Sequence, residues 1–310
     1  MERCDFLPVS AEEMHERGWW WYDALVVGGD AYVDHPSFGT AVISRVLEAE
    51  GLRVAVLAQP DWHDAEAFRA MGRPRLGVFI GAGNLDSMVA HYTAAKRRRS
   101  EDFYSPGKRT GCRPDRAAIV YCNRAREAFG PDMPIILGSL EASLRRFAHY
   151  DYWDDSVRRA ILFDAPADLL VYGMGEAATI EIAHRLKKKQ SVHTMTDIPG
   201  TGYITRDPSV CKFDHITLPS FEDVRDDKRL YAEATRTEYA EHDPVRGRAM
   251  IQPCEGRYLV INPPAMPLDT KELDRVAELP YTREWHPMYE PLGGVPAIEE
   301  VRFSVIHNRG

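Results

Sequence analysis

The sequence predicts an α/β protein with a doubly wound, mainly parallel five-stranded sheet followed by a small α+β segment. Three observations carry that prediction. Residues 23–60 read DALVVGGDAYVDHPSFGTAVISRVLEAEGLRVAVLAQP: an apolar run ends at Gly28-Gly29, a helical pattern places Val42, Ile43, Val46 and Leu47 on one face, and a second apolar run follows Gly51. Strand, helix and strand joined this closely form a βαβ unit, which requires a parallel pair. The same arrangement of a buried-type strand followed by glycine recurs at Gly81, Gly138 and Gly173. Beyond residue 189 the alternation stops and short strands, a charged helix and prolines take over.

In chain order, 24–27 and 54–57 are the first two strands, and Ser37 is placed to cap the helix between them. Residues 19–22 (WWWY) form an aromatic cluster read as a lid on the sheet edge. A short helix over 64–71 precedes the third strand, 75–80. The turn Gly81-Ala82-Gly83-Asn84 leads into a helix over 85–95 and can turn backbone N–H groups toward an anion, although it lacks the third glycine of G-x-G-x-x-G. Pro114 opens a helix that Gly130 closes, and 134–137 is the fourth strand. Residues 141–152 carry Arg145, Arg146, His149 and Asp151, either a site or a salt-bridged helix and turn. The fifth strand, 167–172, ends at Gly173 and leads to Glu176 and a helix over 177–186. This element order is flavodoxin-like, and ligands on such sheets bind beyond the carboxyl ends of the strands. Residues near those ends, Asp30, Asp34, His35, Asn84, Arg145, His149, Asp151 and Glu176, are therefore the candidate ligand-facing groups. Residues 198–204 and 212–217 read as short strands of a small sheet, 259–261 as another short strand, 220–241 as a charged helix, and 299–306 as a strand with Val301, Phe303 and Val305 on one face.

With 310 residues, 44% hydrophobic and 28% charged, the chain is neither disordered nor membrane-spanning, and a cytoplasmic location is the expectation. A formal net charge of -8 argues against bulk attraction to nucleic acid. One stretch, 96–108 (KRRRSEDFYSPGK), still interleaves cations with Phe103 and Tyr104 as an RNA-binding segment does, and a solvated insertion loop is the competing reading. The five cysteines, Cys4, Cys112, Cys122, Cys211 and Cys254, are scattered, and no pair has C-x-x-C spacing.

Several long strings are similar to radical S-adenosylmethionine (SAM) proteins of the YgiQ type. They include GDAYVDHPSFG at Gly29, GNLDSMVAHYT at Gly83, YSPGKRTGCRPDRA at Tyr104, LEASLRRFAHYDYWDD at Leu140, DLLVYGMGE at Asp168, YLVINPPA at Tyr258 and GGVPAIEEVRFSVIHNRG at Gly293. The resemblance covers nearly the whole chain and implies a Rossmann-like N-terminal domain over 1–190, an α+β and proline-rich connection over 191–280, and the start of a radical SAM core over 281–310. It implies a [4Fe–4S] cluster and SAM for the complete protein, with the cluster held by a C-x-x-x-C-x-x-C run that in the family begins just after the motif matching His307-Asn308-Arg309-Gly310. None of the five cysteines belongs to that run, so this chain alone is expected to be catalytically silent, with the radical SAM core as its partner. Its end leaves two origins open: a UGA codon one base from a cysteine codon, or a deliberate cut.

A looser similarity joins IILGSLEASL and ADLLVYGMGEAATIEIAHRL to the last two strand–helix units of cobalamin-binding-like domains. The D-x-H-x-x-G pattern of cobalamin ligation is not met, because Asp34 and His35 are adjacent, and His35 is read as a hydrogen-bonded turn residue. Two other functions stay open: a self-contained module for a nucleotide, flavin or cobalamin, and an RNA-binding partner module.

Overall fold

The computed structural model describes residues 5–304. In chain order, helix α1 (Ala11–Glu16) precedes β1 (Ala24–Gly28), α2 (Gly39–Ala49), β2 (Val54–Ala58), α3 (Glu66–Arg69) and β3 (Gly77–Gly81). Then come α4 (Ser87–His91), α5 (Ala117–Phe129), β4 (Ile135–Gly138), α6 (Ser139–Leu144), the two-stranded hairpin β5 (His149–Asp151) and β6 (Ser156–Arg158), β7 (Leu169–Val171) and α7 (Glu176–Lys187). The second part adds β8 (Thr201–Thr205), β9 (His215–Thr217), α8 (Phe221–Asp226), α9 (Lys228–Ala240), β10 (Ala249–Cys254), β11 (Arg257–Ile261), α10 (Thr270–Ala277) and α11 (Ile298–Val301).

One large mixed sheet organises these elements, in the order β2-β1-β3-β4-β7-β8-β11-β10-β9. Its first five strands are parallel, and their order is the flavodoxin-type 2-1-3-4-5. Strand side chains alternate between faces. Val26, Phe79, Ile136 and Val171 pack with α2 and α7 on one face. Leu25, Val27, Ile80 and Leu137 pack on the other with Tyr121, Cys122, Ala125 and Phe129 of α5. Gly51, at φ +75°, follows α2 in the left-handed conformation that a glycine adopts without strain.

The sheet corrects the expected five strands followed by a small sheet. β8 pairs antiparallel with β7, Leu170 opposite Gly202, so the strands beyond residue 200 extend the first sheet. An apolar parallel edge at β7 needs a partner, and β8 provides it. Other elements also differ from expectation. Phe38, not Ser37, is the N-cap of α2, and the Gly39 N–H donates instead to Asn84 Oδ1 at 3.3 Å. Residues 220–241 form two helices, because Asp227 is extended and its side chain caps the second one. Residues 139–158 make a short helix and a hairpin. The expected strand at 299–306 is helical over Ile298–Val301, where the Arg302 N–H donates to Ile298 O at 2.8 Å. Phe303 is 92% exposed, and Val305 lies outside the described residues.

Residues 281–304 return to the loop after β1. Val33 bridges Trp285, the Asp34 N–H donates to Glu284 O at 2.9 Å, and the His286 N–H donates to Tyr32 O at 3.0 Å.

Candidate functional site

The carboxyl ends of the parallel strands are aligned by register, with Gly28 opposite Gly81 and Gly81 opposite Gly138. Beyond this edge a cleft of about 270 Å³ opens between the first turns of α2 and α7. Its base is the sheet face formed by Val26, Phe79, Ile136 and Val171, and Val42 and Ile43 of α2 continue the apolar wall. Glycines at the strand ends, Gly81 and Gly138, leave the room that side chains there would fill. Polar groups come from Thr40, Ser139, Glu176 and Thr179, and no lysine, arginine or histidine is among the lining residues. Thr179, 3% exposed, is among the lining residues. Ser139, held at φ +73°, accepts the Ala82 N–H on its hydroxyl at 3.0 Å.

Of the eight candidates named from sequence, Glu176 lines this cleft, buried in the first turn of α7. Asn84 stands beside it. Its backbone N–H donates to Asp30 Oδ2 at 2.6 Å and its side-chain amide to Ser37 O at 3.1 Å. Asp30 itself is engaged in a buried ion pair. Arg113 donates to Asp30 Oδ1 at 2.6 Å and to Asp102 Oδ2 at 2.8 Å. Burial pushes the Asp30 carboxyl up against the pull of Arg113, with Asp102 adding to the rise, since two carboxylates share one guanidinium. Gly83 is required here, because a Cβ would stand 2.2 Å from Asp30 Oδ1.

Asp34 is likewise enclosed. Arg45 grips it through Nε at 3.1 Å and Nη2 at 2.5 Å, and the Thr282 N–H donates to Oδ2 at 2.9 Å. Arg45 also donates to Glu48 and to the Asp5 carbonyl. The adjacent His35 is fully buried. Its Nδ1 accepts the Ser37 N–H at 3.1 Å, which leaves the proton of the neutral ring on Nε2. Burial and Arg283 push its pKa down to about 4, against the opposite pulls of Asp34 and the Val301 backbone.

The remaining candidates lie apart from the cleft. Arg145 pairs with Asp86, whose other oxygen accepts N–H groups at the start of α4. His149 Nδ1 faces Phe147 O at 3.0 Å. Asp151 accepts from Arg116 Nη2 at 3.0 Å and from the Trp153 N–H at 2.8 Å. Burial works to raise its pKa, but these bonds outweigh it and hold the carboxyl low. Position at a strand end could not separate these charge-paired groups from cleft-lining ones. The residues it missed, Thr40, Ser139 and Thr179, are small hydroxyls whose only signal is proximity to glycine turns.

In the basic stretch, Lys96 Nζ donates to Trp153 O, Arg99 Nε to Val89 O, and Lys108 lies over the Phe103 ring. Among the described residues no group of three or more His, Cys, Asp or Glu could hold a metal ion. Cys122 and Cys254 are buried, and burial pushes both thiols up, Cys254 to about 12. Thiols held protonated and far apart do not fit an iron–sulfur cluster, which needs grouped thiolates. His35, with no place on the cleft wall, does not fit a cobalt ligand. No helix among the described residues is long and apolar enough to cross a membrane.

The fold is thus of the α/β class, a large mixed sheet whose parallel part carries an apolar cleft at its carboxyl edge. The radical SAM N-terminal family model matches residues 6–304, and the chain belongs to that family. A UPF0313 protein of Clostridium botulinum (strain 657 / Type Ba4) is 53% identical over 310 residues, which is 100% of this chain and 48% of that protein. One from Clostridium perfringens (strain SM101 / Type A) is 53% identical over the same 310 residues and 47% of its own length. The chain thus spans about half the length of the curated relatives it matches. The radical SAM methyltransferase TsrM of Kitasatospora setae, solved with cobalamin and a [4Fe-4S] cluster bound, aligns with a TM-score of 0.35 at 19% identity, over 58% of this chain and 26% of that chain.

Proposed function

We propose that this chain is the N-terminal half of a radical SAM enzyme whose other half carries the [4Fe–4S] cluster and SAM. The carrying observation is the 53% identity along all 310 residues to proteins of twice the length, within the radical SAM N-terminal family. When bound, the cluster would supply reductive cleavage of SAM to an adenosyl radical. This chain's own residues take no part in holding it. Their role is to build the sheet and present its carboxyl edge to the companion half. Leu140 and Leu144, one turn apart on α6 at that edge, are 44% and 61% exposed, and this apolar surface suits cover by the companion half.

The test is anaerobic reconstitution with iron and sulfide. The full-length C. botulinum relative is expected to take up a cluster, seen by its broad visible absorption, and to release 5′-deoxyadenosine from SAM. This chain is expected to do neither. Cluster uptake by this chain, or failure of the full-length relative to cleave SAM, would overturn the proposal.

A further inference from the structure

We infer that the amino edge of the sheet binds single-stranded nucleic acid through a row of tryptophans and arginines. The inference stands apart from the radical SAM reading, which concerns the opposite, carboxyl edge. Parallel pairing sets the start of β1 level with the starts of β2 and β3, Ala24 opposite both Val54 and Gly77, so the residues just before those strands converge. They are Trp19, Trp20 and Trp21 before β1, Arg53 before β2 and Arg75 before β3. The Arg17 guanidinium lies 5.7 Å from the centre of the Trp19 ring, and that of Arg53 lies 5.6 Å from it. Arg53 also lies over Trp21 at 4.0 Å, and Arg75 over the same ring at 3.4 Å. Arg17, Trp19, Arg53, Trp21 and Arg75 thus form one continuous row. Trp20, 78% exposed, stands beside it, packed on the His15 ring at 4.5 Å.

Charge singles out this row. The chain carries a net charge of -8, yet none of the three arginines forms an ion pair among the described residues. Arg53 and Arg75 make no side-chain hydrogen bond there either, and Arg17 donates to the Phe6 carbonyl. Glu16, next to Arg17 in sequence, pairs with none of them, and the Asp23 carboxylate accepts the Arg53 backbone N–H at 2.9 Å. A guanidinium lying over an indole ring keeps its in-plane N–H donors free for phosphate oxygens. Three unneutralised cations for a backbone and an exposed indole for a base are the two parts of a single-strand site. A duplex offers the phosphates but hides the base faces on which Trp20 would stack. Anionic lipid fits less well, because burying Trp21 in a bilayer would carry two guanidinia with it.

Fluorescein-labelled oligouridylate and oligothymidylate, titrated into the 310-residue chain and followed by anisotropy, test the inference. At least one is expected to bind saturably, and more tightly than a duplex of the same length. Between about 50 and 200 mM salt its affinity should fall about twentyfold, the counterion release of three phosphate contacts on a single strand. Arg53→Gln combined with Arg75→Gln should reduce that fall to about threefold. Trp20→Ala should weaken binding at least about fivefold, the loss of one stacked base. Arg206→Gln, at an exposed position just after β8, should leave binding unchanged. Vesicles of phosphatidylcholine and phosphatidylserine should not retain the chain. Circular dichroism identifies a variant that fails to fold, and Trp20→Ala, at an exposed position, then decides. Binding of neither oligonucleotide, equal binding of the duplex, indifference to salt or to Trp20→Ala, an equal loss with Arg206→Gln, or retention by the vesicles would overturn the inference.

Discussion

Arg45 joins four separate parts of the chain through one guanidinium: Asp5, Asp34, Glu48 and, by way of Asp34, Thr282. Both members of the Arg45–Asp34 pair are almost wholly buried, so removing one strands the other without its counter-charge. Arg45→Met should lower unfolding free energy by about 3–5 kcal/mol, measured by urea denaturation, and Arg45→Met with Asp34→Leu should recover part of that loss. If the single variant loses no more than an exposed pair would, the bridge is not structural. His35 makes the adjoining prediction. Its folded pKa of about 4 lies below the ordinary value of 6.5, so the unfolded chain takes up the proton first. Stability from this residue is complete above about pH 6.5 and is lost as pH falls toward 4, by up to about 3 kcal/mol. His35→Asn keeps an acceptor for Ser37 and should flatten that part of the stability–pH curve.

At the scale of elements, two changes separate built contacts from incidental ones. Ile298, 2% exposed in α11, should cost about 2–5 kcal/mol when replaced by alanine, whereas Phe303→Ser, at a position 92% exposed, should stay within about 0.5 kcal/mol. Asn84→Ala removes the acceptor from the Gly39 N–H, and a loss of about 0.5–2 kcal/mol in thermal unfolding is expected. These elements also mark what the sequence made legible. The runs ending at Gly28, Gly81 and Gly138 announce buried parallel strands, because little but an interior strand is so short and so uniformly apolar. Asn84 as the partner of Gly39 was not legible, since capping from 45 residues away leaves no local spacing to read. The same limit explains Asp30 and Asp34. Their place near a strand end was correct, but the arginines that neutralise them come from α2 and from the loop before α5. At 299–306 alternation suggested a strand, but the described part follows the local i to i+4 hydrogen bond of a helix.

On the scale of the whole molecule, the continuous sheet makes the second part a structural partner of the first. Truncation after residue 190 would remove β8 and leave β7, buried throughout its length, as a bare apolar edge. The truncated chain is expected to aggregate on size-exclusion chromatography, whereas the 310-residue chain should show one cooperative thermal transition. A stable monomeric 1–190 fragment would show that the edge needs no cover.

The hydrogen bond from Thr282 to Asp34 spans 248 positions. A ribosome adding about 5–20 residues per second needs roughly 12–50 seconds to supply the later residue after the earlier one. Throughout that interval the nascent loop after β1 holds a carboxylate whose final enclosure does not yet exist. The N-terminal strands can pair as they emerge, but this corner closes only after residue 282 has been made. A segment made 248 positions later thus finishes the loop after β1, and early intermediates on the ribosome stay open at the edge where the cleft forms.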